Sequence, residues 1–267
     1  MESLNPINYK RIVILTGAGI SAESGIQTFR DSGGLWENYP VEEVATPDAF
    51  HRDPHKVWRF YSHRRHQAGL ATPNRAHEAL VDFAQKINPH LFLITQNVDY
   101  LHQRAGGDIL SPHCMHGSLH QSRCTACQKV HLDDIVYYDE SGRFNPKHSG
   151  LFSTLPTNAL TVENLKISEE LPLSPCCHEL LRPHIVWFGE VPFHLEEIFR
   201  RLEHCELFIS IGTSGQVYPA AGFLQTAKSH GARTVLINQE AHHHNPYVDQ
   251  FLEGKAGEVV PKFFKTT

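Results

Sequence analysis

The segment RIVILTGAGISAESGIQTFRDSGGLW, residues 11–36, decides the fold class. Its first part, Ile12 to Leu15, is an apolar and mostly β-branched run, which is typical of a strand buried on both faces of a parallel sheet. The run continues into Gly17-Ala18-Gly19-Ile20-Ser21-Ala22, the G-x-G-x-x-A pattern of a dinucleotide-binding turn. In that pattern the glycines allow a tight turn and close approach of a pyrophosphate. We therefore expect a strand, a phosphate-binding turn and a helix whose positive dipole end faces the phosphate.

The segment departs from the ordinary dinucleotide fingerprint in one respect. That fingerprint carries an acidic residue about twenty positions further on, at the end of a second strand, where it holds the ribose. At that distance this chain has Asp31-Ser32-Gly33-Gly34, which is the composition of a loop. A glycine-rich turn alone also occurs in ordinary strand-to-helix connections. The sequence thus favours a nucleotide-binding fold over a standard dehydrogenase.

Three further apolar runs have the same character, and each leads into a polar cluster. They are Leu91 to Ile94 followed by Gln96, Asn97 and Asp99, Leu207 to Ile211 followed by Gly212, Thr213 and Ser214, and Thr234 to Ile237 followed by Asn238, Gln239 and Glu240. Helical stretches separate the later runs, as crossovers between parallel strands require. Ligands of open α/β sheets bind outside the carboxyl ends of the strands. We predict an α/β fold with a Rossmann-like, doubly wound parallel sheet and a ligand site at that edge.

Composition divides the chain into three parts. Residues 1–39, 76–113 and 183–267 are expected to form the nucleotide-binding domain, 40–75 a helical insertion and 114–182 a small cysteine-containing module. Pro47-Asp48 and Asp53-Pro54 are typical helix starts within the insertion. Residues 137–161 are rich in Gly, Pro, Asn and Ser, so we expect a loop without regular structure there.

Composition also excludes several functional classes. The chain has 267 residues, 40% of them hydrophobic, and a net charge of −5, whereas non-specific nucleic-acid binders are usually basic. The first ten residues carry no signal-peptide pattern, and no run approaches the roughly 18 apolar residues that span a bilayer. We expect a soluble, cytoplasmic protein, a monomer that binds neither nucleic acid nor membrane.

Four of the six cysteines indicate a metal site. Cys124 and Cys127 form a C-x-x-C half-site, and Cys176 and Cys177 supply a less regular second half. We favour structural zinc held by these four thiolates. A ligand set that includes His131 or His178 and a degenerate site without metal remain open. A redox-active C-x-x-C is less favoured, because such motifs normally begin a helix after a strand.

Taken together and in order, these motifs resemble those of the sirtuins. The matching stretches are GAGISAESGIQTFR at 17–30, QNVD at 96–99, His116-Gly117, the C-x-x-C, LRPHIVWFGE at 181–190, GTS at 212–214 and NQE at 238–240. The resemblance covers nearly the whole chain. It implies a Rossmann-like domain with a smaller inserted zinc-and-helix domain, NAD⁺ in the cleft between them, and removal of acyl groups from protein lysines with release of nicotinamide and O-acyl-ADP-ribose.

The resemblance also implies roles for individual residues. His116 would be the general base, a role for which an imidazole is suited because its pKa lies near the working pH. The residues implied in cofactor binding are Gly17, Ala18, Gly19, Ala22, Glu23, Phe29, Arg30, Gln96, Asn97, Asp99, Gly212, Thr213, Ser214, Asn238, Gln239, Glu240 and Ala256. The extended segment Val186-Trp187-Phe188-Gly189-Glu190 would pair with the backbone of the substrate peptide.

Tyr61 and Arg64 are three positions apart on a predicted helix, so both side chains can face one pocket, and the resemblance implies that they set the acyl preference. The pair resembles the Tyr-x-x-Arg of the class III, bacterial-type sirtuins, in which it recognises acyl groups that end in a carboxylate, and Ala45 resembles the small residue that widens their pocket. The resemblance implies succinyl-, malonyl- or glutaryl-lysine as substrates, with acetyl-lysine also accepted. The alternative is that Tyr61 merely packs while Arg64 is solvated like its neighbour Arg65.

Two other functional classes remain open at this point. One is a zinc-containing NAD-dependent oxidoreductase, against which the missing acidic residue argues. The other is a non-catalytic sensor that binds NAD⁺ or a peptide. His116 and the complete set of polar clusters favour the enzyme.

Overall fold

The computed structural model describes residues 4–27, 35–36, 39–88, 90–152, 155–240 and 245–265, with only the backbone of residues 35–36 and 107–108. Phe29 and Arg30, two of the predicted cofactor-binding residues, lie outside the described residues, as does the segment 31–34, for which the sequence predicts a loop.

The described chain alternates strands and helices. The strands are β1 Ile12–Thr16, β2 Leu35–Trp36, β3 Tyr39–Pro40, β4 Phe92–Thr95, β5 His113–Cys114, β6 Gly117–Cys124, β7 Val130–Leu132, β8 Ile135–Tyr138, β9 Phe144–His148, β10 Lys166–Ser168, β11 Leu171–Leu173, β12 Leu181–Ile185, β13 Leu207–Ile211, β14 Arg233–Asn238 and β15 Gln250–Glu253. The helices are α1 Val41–Val44, α2 Pro47–Arg52, α3 Pro54–Leu70, α4 Arg75–Lys86, α5 Leu101–Leu110, α6 Leu195–His204, α7 Phe223–Ser229 and α8 Ala256–Phe263.

The main sheet contains six strands in the order β15-β14-β13-β1-β4-β5. Every pairing in it is parallel, which confirms the four strands predicted from the apolar runs. From β1 the chain first adds β4 and β5 on one side, and later places β13 on the other. The order therefore reverses between β1 and β13, and ligands bind at such switch points.

Helices cover both faces of this sheet. Alternate residues of β1 face opposite sides because successive side chains of a strand point in opposite directions. On one face Ile12 and Ile14 share a core with Leu80 of α4 and Val260 of α8, and on the other Val13 and Leu15 share a core with Ile198 of α6 and Phe223 of α7. The sheet is thus doubly wound, as the sequence predicts.

A third core joins α1, α2 and α3 to the cysteine-containing part of the chain. Trp58 and Tyr61 of α3 pack there with Ile135 and Tyr137 of β8. The helices expected after Pro47 and Pro54 are present. The boundaries of the three predicted parts stay a prediction.

The expected loop at 137–161 is in part wrong. β8 and β9 form an antiparallel hairpin that reaches from Ile135 to His148. β8 is buried along its whole length, whereas β9 has the sequence FNPKH and a largely exposed pattern. β9 thus carries no apolar signal and is a strand because it pairs with β8. Among the described helices none combines the length and apolarity that a membrane crossing requires.

Candidate active site

The turns after β1 and β13 are in direct contact at the switch point. The N–H of Gly17 donates to the carbonyl of Ile211 at 3.0 Å, and the N–H of Gly19 donates to the carbonyl of Gly212 at 2.8 Å. A Cβ on Gly19 would lie 2.7 Å from the Cα of Gly212, and Gly212 has a positive φ of 61°. Both glycines are therefore required by the approach of one turn to the other. The sequence pattern explains the glycines by a tight turn and by close approach of a pyrophosphate, and it does not include this contact between two turns.

The helix expected after the glycine turn is absent from the described residues up to Gln27. Two three-residue 3-10 segments, Ala18–Ile20 and Ala22–Ser24, stand in its place, and Gly25 ends them with a φ of 87°. A three-residue segment aligns too few peptide dipoles to give a helix dipole. The prediction that a helix dipole faces the phosphate is therefore wrong. Individual backbone groups, rather than a helix end, line this part of the site.

Polar side chains behind this turn form a network. The amide of Asn97 donates to the carbonyl of Gly17 at 3.1 Å and to the hydroxyl of Ser21 at 3.0 Å. The Ser21 hydroxyl donates to a carboxylate oxygen of Asp99 at 2.7 Å, and the other Asp99 oxygen accepts from the N–H of Leu101 at 3.0 Å. The network ties the turn after β1 to the loop after β4. Ser21 is a member that the sequence interpretation missed.

The other polar clusters meet in the same way. The side-chain amide of Gln96 donates to the Thr213 hydroxyl at 3.0 Å, and that of Asn238 donates to the Thr213 carbonyl at 3.0 Å. Residues after β4, β13 and β14 are thereby linked. Glu23 has a different contact, because its carboxylate accepts from the N–H of Gly257 at 2.6 Å, in the first turn of α8.

Most residues selected from the sequence line one cleft of about 750 Å³. They are Gly17, Ala18, Gly19, Ala22, Ala45, Arg64, Gln96, Asn97, Asp99, His116, Val186, Trp187, Phe188, Gly189, Glu190, Gly212, Thr213, Ser214, Asn238, Gln239, Glu240 and Ala256. Glu23 and Tyr61 are not among the lining residues. Val98, Ile185 and Tyr218 line the cleft as well, although the sequence interpretation did not select them.

His116 lies in this cleft with a fixed ring. Its Nδ1 is 3.1 Å from the carbonyl oxygen of Gln96, and its own carbonyl accepts from the N–H of Val186 at 3.0 Å. A carbonyl can only accept a hydrogen bond, so Nδ1 carries the hydrogen and Nε2 has a free lone pair. Burial lowers the pKa of His116, which the bond to Gln96 partly offsets. The neutral imidazole is therefore a base at neutral pH.

The segment 186–190 is not extended throughout as the sequence predicts, because residues 187–190 form a turn in which the N–H of Glu190 donates to the carbonyl of Trp187. Gly189 has a φ of 89°, and the N–H groups of Val186 and Phe188 already donate to His116 and Ala45. The Glu190 carboxylate accepts two hydrogen bonds from Arg182, at 2.7 and 2.9 Å, and one from the N–H of Trp187 at 2.9 Å. Glu190 thus holds this turn in shape. Phe188 is 49% exposed and is the apolar side chain of the turn that solvent reaches.

The Tyr61 and Arg64 pair is buried, so the alternative of a solvated Arg64 is wrong. Arg64 is 9% exposed and lines the cleft, whereas Tyr61 is 1% exposed and accepts a hydrogen bond from the indole of Trp187 at 3.0 Å. Burial raises the pKa of Tyr61 to about 12, and the nearby charge of Arg64 works against that shift. Arg65 is also buried and forms a 3.0 Å ion pair with Asp133.

The four cysteines selected as zinc ligands lie together. The sulfur atoms of Cys124 and Cys177 are 3.2 Å apart, those of Cys127 and Cys176 are 3.0 Å apart, and all four lie within 4.8 Å of one another. Cys124 ends β6, and Cys127 lies in the turn before β7, which argues against a redox motif at a helix start. A tetrahedral zinc ion with Zn–S bonds of about 2.3 Å fits four thiolates at such spacings. The geometry leaves out His131 and His178, the alternative ligands.

Comparison with known proteins identifies the family. The Sir2 family model matches residues 17–219, and this chain belongs to that family. An NAD-dependent protein deacylase of Pasteurella multocida is 46% identical over 255 residues, covering 95% of this chain and 96% of that protein. Among solved structures, a complex of a Sir2 homologue mutant with ADP-ribose superposes with a TM-score of 0.76 at 37% identity, covering 97% of this chain and 92% of the other. A complex of a Sir2 homologue with NAD gives 0.74 at 37% identity, covering 97% and 89%.

Proposed function

We propose that this chain is an NAD⁺-dependent protein-lysine deacylase that prefers succinyl, malonyl or glutaryl groups and also accepts acetyl-lysine. The observation that carries the proposal is a single cleft that contains a neutral, oriented histidine, the polar edge of a nucleotide-binding sheet and a buried arginine. Membership of the Sir2 family favours this function over a zinc oxidoreductase. Turnover distinguishes it from a non-catalytic sensor.

The sheet edge is the proposed NAD⁺ site. The pyrophosphate would lie against Gly17, Ala18, Gly19 and Ala22 in the turn after β1, and Gln96 would contact a ribose. The residues proposed around the adenosine are Gly212, Thr213, Ser214, Asn238, Gln239, Glu240 and Ala256. NAD⁺ supplies an ADP-ribosyl acceptor for the acyl group and a nicotinamide leaving group. The structures of family members with NAD and with ADP-ribose support this assignment.

Asn97 and Asp99 are proposed to hold the nicotinamide carboxamide. Both side chains already bond to the protein, but the Asn97 amide still has an acceptor oxygen, and a carboxylate oxygen can accept more than one hydrogen. Phe29 and Arg30 are proposed for the same end of the cofactor from the sequence. Glu23 is proposed to act by holding α8, and thereby Ala256, against the site.

His116 is the proposed general base. Its free Nε2 can accept a proton from a hydroxyl in the cleft, and the Gln96 carbonyl then stabilises the proton left on Nδ1. The lowered pKa keeps the ring unprotonated at the working pH. The residue therefore requires no activation by a neighbouring carboxylate.

Arg64 is the proposed determinant of acyl preference. It lines the same cleft as Ala45, Val98 and Ile185, three apolar residues that share one core cluster with Tyr61. Guanidinium presents paired donors to a carboxylate, and the interaction is strong where water is limited. An acyl chain with a terminal carboxylate would place its methylenes along the apolar wall and its charge at Arg64. An acetyl group fits but lacks that interaction.

The proposed partner is a protein segment that carries the acyl-lysine. The segment 186–190 lines one side of the cleft, and its residue Phe188 presents an exposed apolar side chain. A substrate peptide that binds this segment through main-chain contacts can have many different sequences. We also propose that the protein is a monomer and acts in the cytoplasm, where NAD⁺ is available and where its six unpaired cysteines would stay reduced.

Zinc is proposed to have a structural role. Cys124, Cys127, Cys176 and Cys177 would hold it, and it would connect the β6–β7 turn to the segment before β12. The cysteines are not among the residues that line the cleft. Zinc would supply folding stability rather than chemistry.

The acyl preference is tested with Arg64→Met. We expect the KM for a succinyl-lysine peptide to rise by about tenfold to a hundredfold, because a charge-assisted pair is lost, while the KM for the acetyl-lysine peptide changes far less. Arg59→Met is the matched control, since Arg59 lies on the same helix but is exposed. Equal changes for both peptides in Arg64→Met would contradict the assignment.

A further inference from the structure

We propose that Trp187 is a positioning residue for acyl selectivity. Its indole N–H fixes the phenol of Tyr61 as an acceptor, so that the Tyr61 O–H is left to donate to the carboxylate of an acidic acyl group beside Arg64. This inference rests on the proposed function, because it needs an acyl carboxylate that enters beside Arg64, which lines the cleft, and reaches the buried hydroxyl of Tyr61, which does not line it.

The hydrogen bond between the two side chains is fully buried. The Nε1 of Trp187 is 3.0 Å from the Tyr61 hydroxyl oxygen, and the two residues are 2% and 1% exposed. Within the described part of the chain, this is the hydrogen bond that the Tyr61 side chain makes, and in it the phenol accepts. The O–H of Tyr61 thus has no described protein acceptor. Buried donors nearly always have a partner, and an acyl carboxylate would provide one.

The surroundings keep the phenol a donor and place it next to Arg64. Burial raises the pKa of Tyr61 to about 12, so the hydroxyl keeps its hydrogen at any working pH. Tyr61 and Arg64 are three residues apart on α3 and therefore lie on one side of that helix. The two side chains are close enough for the charge of Arg64 to act on the phenol.

The indole itself is held on two sides. The guanidinium of Arg182 lies over the Trp187 ring, 3.4 Å from its centre. The Glu190 carboxylate accepts from Nη1 and Nη2 of Arg182 and from the main-chain N–H of Trp187. The ion pair between Glu190 and Arg182 therefore fixes both the indole ring and the main chain of Trp187. The ring of Phe50 packs against the indole with centroids 5.4 Å apart. The direction of the indole N–H is therefore set before any substrate binds.

The test compares Trp187→Phe, Tyr61→Phe and the double variant. One peptide carrying either succinyl-lysine or acetyl-lysine is used with saturating NAD⁺, and KM and kcat are measured for each. We expect Trp187→Phe to raise the succinyl-to-acetyl KM ratio about fivefold, the effect of one hydrogen bond. In the Tyr61→Phe background the same change should shift that ratio by less than about twofold, since the group it orients is gone.

Trp58→Phe is the matched control. Trp58 is another buried tryptophan, 1% exposed, whose indole N–H donates to the Leu181 carbonyl at 3.0 Å rather than to Tyr61. It should lower the thermal midpoint without changing the KM ratio. As a second replacement of Trp187, site-specific incorporation of 3-benzothienylalanine keeps the shape of the indole and removes only the N–H.

The outcomes separate this inference from the function on which it rests. If Tyr61→Phe and Arg64→Met leave the KM ratio unchanged, the acidic-acyl proposal itself fails. If those variants shift the ratio but both replacements of Trp187 do not, or if Trp187→Phe shifts it equally in both backgrounds, the positioning role is wrong.

Discussion

The Nδ1 of His116 lies 3.1 Å from the main-chain carbonyl oxygen of Gln96. The side chain of Gln96 in turn donates to Thr213, in the glycine turn after β13. Gln96 thus orients the proposed base through its main-chain carbonyl, and its side chain contacts the edge of the sheet where NAD⁺ is proposed to bind. The orientation of His116 is set by backbone, so it is expected to persist whether or not ligands are bound.

The pH dependence of turnover should report the lowered pKa of His116. The unprotonated ring is the active form, so kcat/KM should fall as the pH is lowered through that pKa. Because burial places the pKa below 6.5, we expect the acidic limb to have its midpoint below pH 6.5. A pH–rate profile, with circular dichroism to confirm folding at each pH, measures it. A midpoint at or above 7 would contradict the assigned environment.

Gly212→Ala should be far more damaging than Gly215→Ala. Both glycines have a positive φ, 61° and 64°, but a Cβ on Gly212 would lie 2.5 Å from the backbone nitrogen of Ile20, whereas one on Gly215 would meet nothing within 4 Å. The shared backbone strain is about 1–2 kcal/mol. We expect Gly212→Ala to cost about 2 kcal/mol more in unfolding free energy and to weaken NAD⁺ binding. Urea denaturation and calorimetry test this, and equal losses in the two variants would show that the turns do not need close contact.

Cys127→Ser should release the metal. Removing one of four thiolates leaves an incomplete site, so we expect zinc to fall below about half an equivalent and the thermal midpoint to drop. Cys205→Ala is the control, because Cys205 is a buried thiol outside the cluster and should leave zinc content unchanged. Elemental analysis of protein purified without chelators gives the answer. Full zinc content in Cys127→Ser would exclude this residue as a ligand.

Asp133→Ala should destabilise the fold strongly. Asp133 is fully buried, pairs with Arg65 at 3.0 Å and accepts from the hydroxyl of Tyr137 at 2.9 Å. Its removal leaves a buried guanidinium charge without its counter-charge, which typically costs about 3–5 kcal/mol. Lys86→Ala breaks an exposed pair with Asp82 and should cost less than about 0.5 kcal/mol. Denaturant titration of both variants checks the contrast, and similar small losses would refute it.

The central strands could be predicted because their apolar runs are buried on both faces. The edge strands β5 and β15 could not be, since β5 has two residues and β15 has mixed polarity. The sequence also could not reveal that Gly19 is crowded by Gly212, because that contact joins residues nearly 200 positions apart. Arg65 shows the same limit. An arginine beside another arginine suggests a solvated face, and only the fold brings Asp133 to it.

The contacts of individual side chains within the selected segments are the least predictable feature. Glu190 belongs to a stretch selected for substrate binding, yet its carboxylate is occupied by Arg182. Ser21 lies inside the glycine motif, and its hydroxyl donates to the carboxylate of Asp99 after the neighbouring strand β4. The Ser21 contact depends on distances across the edge of the parallel sheet, and the Glu190 contact depends on the turn that brings this side chain back to Arg182 of β12. Spacing along the chain encodes neither of them.

The most direct test of the proposed function is mass spectrometry of a succinyl-lysine peptide incubated with the protein, with and without NAD⁺, alongside the His116→Tyr variant. We predict loss of the succinyl group only with NAD⁺, with equal amounts of nicotinamide and O-succinyl-ADP-ribose, and turnover at least about a hundredfold lower in His116→Tyr. Folded, zinc-loaded protein that removes neither succinyl nor acetyl groups, or that releases them without NAD⁺, would contradict the account.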